Sequence, residues 1–159
     1  VELREKLIEI LIRGRNECYV KKSAEYNPYV KSSLYDWEFR MKIDEYVFTD
    51  SYRGFNPYSG VEYVYDKEGK DVVWFCDYVG YVNDNEEIPA EEIYRFLKES
   101  RKNHLMNSKE HFFDGYRYEK GLLVYITSFN GNLDALLQME NFYYKGTLIA
   151  QQISSGKLK

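Results

Sequence analysis

The sequence predicts an α+β fold made of two antiparallel repeats, residues 1–82 and 83–159, each a helix followed by four strands, the two packed as one globular unit. Three observations carry this expectation. Seventeen tyrosines and nine phenylalanines stand against three prolines, a composition that suits many short strands with amphipathic aromatic faces. Two segments place apolar residues at helical spacing, and each is followed by four segments of period two. The last two strands of each set also share a faint spelling. Glu62-Tyr63-Val64-Tyr65 precedes Gly69 and Gly80, as Glu140-Asn141-Phe142-Tyr143 precedes Gly146 and Gly156; the intervals differ by one residue, which a bulge or an altered turn absorbs. We read this as an internal duplication.

In the first segment Leu3, Leu7, Ile10 and Leu11 share one helical face, and Gly14 stands where a left-handed cap would close a helix of about three turns. Residues 15–33 show no clean period, although residues 18–20 fit a short strand and Asn27-Pro28 marks a turn. From Tyr35 the period becomes two. Trp37, Phe39 and Met41 alternate with Glu38, Arg40 and Lys42, and residues 43–45 turn the chain into a strand over 46–52. A loop with Gly54, Pro57 and Gly60 leads to strands over 61–66 and 72–79, joined by a turn at 67–69; the second is apolar on both faces and is expected at the centre of its sheet.

Pro89 suits the first position of a second helix running to about Lys102. Glu86, Glu87, Glu91 and Glu92 crowd its start while Lys98, Arg101 and Lys102 close it, each sign favoured by the helix dipole. Ile93, Phe96 and Leu97 form its buried stripe. After a loop over 104–113, strands are expected at 116–119, 122–129, 135–144 and 147–154, separated by Gly121, Asn130-Gly131 and Lys145-Gly146.

The 159 residues, 44% hydrophobic and 30% charged, can bury roughly two-thirds of the surface of the unfolded chain, which excludes disorder and removes any need for a disulfide or metal staple. A formal charge of −4 repels phosphates, and no basic patch offsets it, so nucleic acid is not an expected partner. Cys18 and Cys76 lack the count and spacing of a disulfide scaffold or zinc site and read as buried thiols in a reducing cytosol. No apolar run reaches the roughly 20 residues of a membrane span, and the charged first 14 residues do not make a signal peptide. The expectation is a cytoplasmic protein without a membrane partner, for which an exposed sheet edge would permit a homo-oligomer.

The run Tyr46-Val47-Phe48-Thr49-Asp50-Ser51-Tyr52-Arg53-Gly54 resembles the signature of a microbial family of domains of unknown function. In that family an aromatic, an Asp, a Tyr and a Gly alternate along a strand, followed by a Gly-x-Glu step and a Trp strand ending in Tyr-x-Gly. Here those later positions are Gly60, Glu62, Trp74, Tyr78 and Gly80. Tyr19 and Ser32-Ser33 resemble upstream positions, so the likeness covers residues 14–82 and, more faintly, the second half, where Ser154 and Ser155 replace aromatic and apolar residues. Some members follow a helix-turn-helix regulator domain, and the family has no established reaction. At the level of fold, tandem helix-plus-four-strand units are similar to the cystatin-like architecture, in which a curved sheet wraps a helix; its duplicated forms include enzyme inhibitors, which implies a protein-binding role but no particular residue.

His104 and His111 lie seven residues apart, with Glu110 beside the second, yet no third ligand converges on them and no metal is expected. No nucleotide-binding glycine loop or nucleophile elbow occurs, so no cofactor is expected and no catalytic residue is assigned. Cys76 sits in an apolar strand, where its thiolate is disfavoured. What remains is a set of carboxylates on aromatic strands, and Asp50, Tyr52, Glu62, Trp74, Asp77 and Tyr78 are the candidate ligand-lining residues. Aromatic faces would stack a base, sugar or cation while the carboxylates accept hydrogen bonds. The plainer reading of each carboxylate is structural, tying down a loop amide or a Tyr hydroxyl. Arg53, Phe55 and Tyr58 combine a guanidinium with aromatics and are the candidate partner-binding residues.

The leading expectation is a non-enzymatic domain that holds a small ligand on an aromatic, carboxylate-lined sheet. One alternative is a protein–protein module, an inhibitor or regulatory subunit, working through residues 53–60. The other is a small hydrolase or isomerase with a carboxylate acid–base pair. An enclosed cavity favours the ligand, a flat aromatic patch the partner, and two carboxylates meeting across a pocket the enzyme.

Overall fold

Alternation of apolar and polar residues builds the strands, and the turns between them fall at glycines or at residues that accept a positive φ, as Asp44 does at φ 53°. In the computed structural model, which describes residues 2–107 and 111–159, the strands are β1 (Val30–Lys31), β2 (Trp37–Ile43), β3 (Tyr46–Gly54), β4 (Tyr58–Tyr65), β5 (Val72–Val82), β6 (Tyr116–Lys120), β7 (Leu123–Asn132), β8 (Ala135–Tyr144) and β9 (Thr147–Leu158). The helices are α1 (Glu2–Arg15) and α2 (Ala90–Asn107). All nine strands form one antiparallel sheet in the order β1-β2-β3-β4-β5-β9-β8-β7-β6.

The expected pair of helix-plus-four-strand repeats, with its cystatin-like curved sheets, is therefore corrected to a single sheet. β5 and β9, the strands that would have ended the two repeats, pair from Trp74↔Leu158 to Val82↔Ala150 through Tyr78↔Ser154. Each would otherwise present an unpaired row of backbone donors and acceptors beside a buried face, and mutual pairing satisfies both rows. The central position expected for the 72–79 strand is where β5 lies.

Smaller corrections follow from packing. Gly14 is inside α1 rather than a cap, because the helix crosses the Phe48 ring so closely that a Cβ on Gly14 would stand 2.4 Å from Phe48 Cγ. Residues 18–20 belong to a π-helical turn, Asn16–Val20, that continues α1; such widened turns often sit at functional sites. α2 passes Lys102 and carries His104 inside it, buried with its ring 5.5–5.7 Å from those of Phe112, Tyr116 and Phe129. His111 is exposed and bonded to Asp114 at 2.9 Å, while Glu110 lies outside the described residues.

Two apolar clusters hold the helices on one face of the sheet. Leu7, Ile10 and Leu11 of α1 pack with Phe39, Phe48, Val64 and Trp74. Ile93, Phe96 and Leu97 of α2 pack with Val82, Tyr125, Phe142 and Ala150. Each fully buried side chain of this size contributes about 1.5–3 kcal/mol. Between the two clusters, over the middle strands, apolar packing stops. No helix among the described residues is long and apolar enough to cross a membrane.

Candidate functional site

Side-chain parity places Asp50 on β3, Glu62 on β4 and Glu140 on β8 on the helix-facing side, and all three are buried. Asp50 and Glu62 are direct cross-strand partners. Arg15, the last residue of α1, clamps Glu62 through Nε to Oε2 at 2.8 Å and Nη2 to Oε1 at 2.9 Å, and Trp74 Nε1 donates to the same Oε1 at 3.1 Å. Arg101 of α2 clamps Glu140 in the same manner, at 2.9 and 3.1 Å, with Tyr125 donating its hydroxyl to Oε2 at 2.8 Å. Burial opposes both guanidinium charges, yet the facing carboxylates override it and hold the two arginines firmly protonated. Burial alone would raise Glu140, but the Arg101 charge and its hydrogen bonds hold this carboxyl below its ordinary value.

Asp50 differs. It accepts hydrogen bonds from Tyr29 on Oδ2 and from Tyr78 on Oδ1, the latter at 2.6 Å, and it pairs with no cation among the described residues. Burial pushes its carboxyl up to about 6, against the opposing pull of the two tyrosines.

Two glycines make this floor possible. Tyr78 on β5 reaches Asp50 on β3 by lying across β4 at Gly60, where a Cβ would stand 2.4 Å from the Tyr78 hydroxyl. Tyr58 on β4 reaches Gln152 on β9, at 2.6 Å, by lying across β5 at Gly80, where a Cβ would stand 2.2 Å from Tyr58 Cζ. Gln152 Oε1 also receives Arg101 Nη2 at 2.6 Å, which joins the Tyr58 bridge to the Arg101–Glu140 clamp.

Above this floor is a cavity of about 390 Å³. Its walls come from the C-terminal end of α1, one face of α2, the π-helical turn and the segment after it. Its mouth carries Lys22, Phe55, Tyr94 and Lys98, with the Phe55 and Tyr94 rings 4.9 Å apart. A family model described as a domain of unknown function, DUF5680, matches residues 50–158, more than half of the 159-residue chain. The chain belongs to the DUF5680 family. No curated protein and no solved structure matches it.

The DUF5680 match begins at Asp50 and takes in Glu62, Arg101, Glu140 and Gln152, while Arg15 and Tyr19 lie upstream of it. Of the sequence candidates, Asp50, Tyr52, Glu62 and Tyr78 line the cavity. Trp74 is buried beneath Glu62 and serves it as a donor. Asp77 is exposed on the opposite face of the sheet, one residue out of phase with Cys76 and Tyr78. Phe55 and Tyr58, the candidate partner-binding residues, both line the cavity, Phe55 from an exposed position. Arg53 is exposed, 4.9 Å over the Tyr35 ring and bonded to the Leu34 carbonyl at 2.6 Å.

Sequence reasoning missed Arg15, Tyr19, Lys22, Tyr29, Lys98, Arg101, Gln138, Glu140, Gln152 and Ser154 as lining residues. A signal existed for two of them. Glu140 had been matched to Glu62 by spelling alone, and an acid at a core-facing strand position demands a buried cation, which Arg101 supplies. No group of three or more His, Cys, Asp or Glu among the described residues could hold a metal ion.

Proposed function

We propose that this DUF5680 domain is a binding module that holds a small molecule between its sheet, the end of α1 and one face of α2. The observation that carries the reading is the cavity itself, about 390 Å³ with an ordered polar floor, a volume within the roughly 300–1,000 Å³ of small-molecule sites. A core serving stability alone would close this gap with aliphatic side chains, since burying an ion costs several kcal/mol before its partner repays it. Asp50, Tyr52 and Tyr78 are the proposed contacts on one side of the floor, which Glu62 supports from within the Arg15 clamp, with Tyr58, Gln138, Gln152 and Ser154 on the other. A ligand-holding module also suits the resemblance to domains that follow a helix-turn-helix regulator.

Native mass spectrometry of the purified, untagged protein tests this, followed by a thermal-shift screen of nucleotides, sugars, amines and organic acids. The expected result is a stoichiometric small molecule released on denaturation, or a midpoint that climbs with ligand concentration as linkage requires. A ligand-free protein whose midpoint no compound class moves would overturn the reading.

One observation favours a second reading. Asp50 lines the cavity with its carboxyl pushed up to about 6, near where a general acid or base works best, while Glu62 beside it is clamped by Arg15 and cannot share that role. Conversion of the retained molecule by the wild type, abolished in Asp50→Asn with binding intact, would replace the binding reading with the hydrolase or isomerase one.

A further inference from the structure

The charges that line the cavity do not balance in the way its floor does. Each buried guanidinium has its own glutamate, but the mouth adds two ammonium groups, Lys22 and Lys98, that have no carboxylate partner among the described residues. The lining therefore holds four cationic side chains, Arg15, Lys22, Lys98 and Arg101, against Asp50, Glu62 and Glu140, in a chain whose formal charge is −4.

The two ammonium groups are also placed rather than loose. Lys98 Nζ donates to the main-chain carbonyl of Lys22 at 2.6 Å, which ties α2 to the segment after the π-helical turn. Lys22 Nζ donates to the Tyr52 hydroxyl and lies 5.1–5.6 Å from the ring centres of Tyr29, Trp37 and Tyr52, an aromatic cage that holds a cation in position. Both side chains are half-buried, and burial lowers both ammonium groups, with Lys22 and Arg101 repelling Lys98 further. Their arrangement costs stability in the empty protein, and an anion between them would relieve that cost.

Deeper in the cavity, hydrogen-bonding capacity is left over. The Tyr19 hydroxyl makes no hydrogen bond to the described residues, and Tyr19 lines the cavity between Arg15 and Arg101. Ser154, 5% exposed, accepts from Gln152 Nε2 at 3.2 Å but donates to nothing. Gln138, 6% exposed, spends its amide nitrogen on Thr127 Oγ1 at 3.0 Å and leaves its carbonyl oxygen without a donor. The half-buried Tyr19 hydroxyl and the unused atoms of Gln138 and Ser154, around one cavity, offer partners for a guest's polar atoms.

Resting on the reading that the cavity holds a small molecule, we infer that its guest is an organic anion. A carboxylate or phosphate sits between Lys22 and Lys98 at the mouth, and an uncharged aromatic body bearing a hydroxyl or amide-like substituent lies inside, against the tyrosines and within reach of Tyr19, Gln138 and Ser154. A single charge-assisted hydrogen bond is roughly twice as strong as a neutral one, so removing a lysine that bonds the anion weakens an anionic guest by about tenfold or more while leaving a neutral one of the same shape nearly unchanged.

The test is calorimetric titration of wild type, Lys22→Met and Lys98→Met, each first shown to melt cooperatively, with four probes: 4-hydroxybenzoate, 4-hydroxybenzamide, 4-hydroxyphenyl phosphate and inorganic phosphate. The expected result is that the acid, the ester or both bind wild type at least about tenfold more tightly than the amide and than inorganic phosphate, and that at least one lysine variant erases this preference. Acid against ester then distinguishes carboxylate from phosphate. Equal binding of acid, ester and amide, or a preference that survives in both variants, overturns the anion assignment while the cavity reading stands. Inorganic phosphate binding as tightly as the ester overturns the placement of a body in the cavity. Binding of none of the probes, with a neutral molecule retained in native mass spectrometry, overturns the anion and keeps the cavity; with nothing retained, both fall.

Discussion

Protonation of Asp50 should be readable as a pH dependence of folding stability. Its carboxyl is pushed up to about 6 in the fold, against about 3.9 for an unperturbed aspartate in the unfolded chain. A raised folded value means that the native state binds the proton more tightly than the unfolded state does. The associated stability is fully present below about pH 4 and is lost as pH rises through about 6. The difference of about two pH units corresponds to about 3 kcal/mol at 1.36 kcal/mol per unit. Asp50→Asn removes the titration while keeping groups that can meet the hydroxyls of Tyr29 and Tyr78. Urea unfolding of both proteins at constant ionic strength from pH 4 to 8 isolates the effect, because the other carboxylates, including Glu140 with its opposite slope at low pH, cancel in the difference. The variant should gain about 2.4 kcal/mol relative to wild type across this range, most of it between pH 4.5 and 7. A difference that stays flat with pH would refute the assignment of a buried, cation-free carboxyl at position 50.

Arg15→Met strands the buried Glu62 carboxylate and should cost about 3–5 kcal/mol in urea unfolding, most of it restored by adding Glu62→Gln; a single variant within about 1 kcal/mol of wild type would show that the clamp is not formed. Gly80→Ala should displace the Tyr58 ring from β5, break its bond to Gln152 and cost about 1–3 kcal/mol, with a crystal structure of the variant showing Tyr58 rotated toward the mouth. Cys18 and Cys76 are both buried, and burial pushes both thiols upward. Ellman's reagent should therefore label neither at pH 8 in the native protein and both in denaturant, and fast labelling of either would contradict the packing around it.

Most strands were legible because a half-buried strand writes its period into the sequence, and the turns at Asp44, Gly121 and Gly146 bound them. The joining of β5 to β9 was not, since a pairing that runs from Trp74↔Leu158 to Val82↔Ala150, far apart in the chain, is set by which edges remain unpaired, and no local pattern reports that. The end of α2 was hidden because His104 looks like a surface residue until the rings of Phe112, Tyr116 and Phe129 are brought around it by the chain after the helix. In the candidate site, Asp50 and Glu62 were visible as acids at core-facing positions of aromatic strands. Alternation should have excluded Asp77, which falls out of phase with its neighbours Cys76 and Tyr78. Arg15 stayed unrecognised because Gly14 reads as the end of the helix before it, and Arg101 because a cation near the expected end of the second helix is already accounted for by the dipole; only the partner strands show that both side chains turn inward.

The same geometry separates what holds the fold from what serves the cavity. Glu62 and Glu140 each have a guanidinium and an aromatic donor, so their oxygens are largely committed and a guest could bind them only by breaking a clamp. Asp50 is the one carboxylate among the described buried acids without a cation; it lines the cavity, and its two tyrosine donors occupy one position on each oxygen, so each oxygen keeps accepting capacity. A guest that donates a hydrogen bond to Asp50 stabilises the ionised form and must pull its titration back down. Repeating the urea series with a saturating guest should therefore shrink the pH-dependent difference between wild type and Asp50→Asn. A guest that sits at the mouth alone should leave that difference as it was, so the same assay reports how deep the cavity is filled.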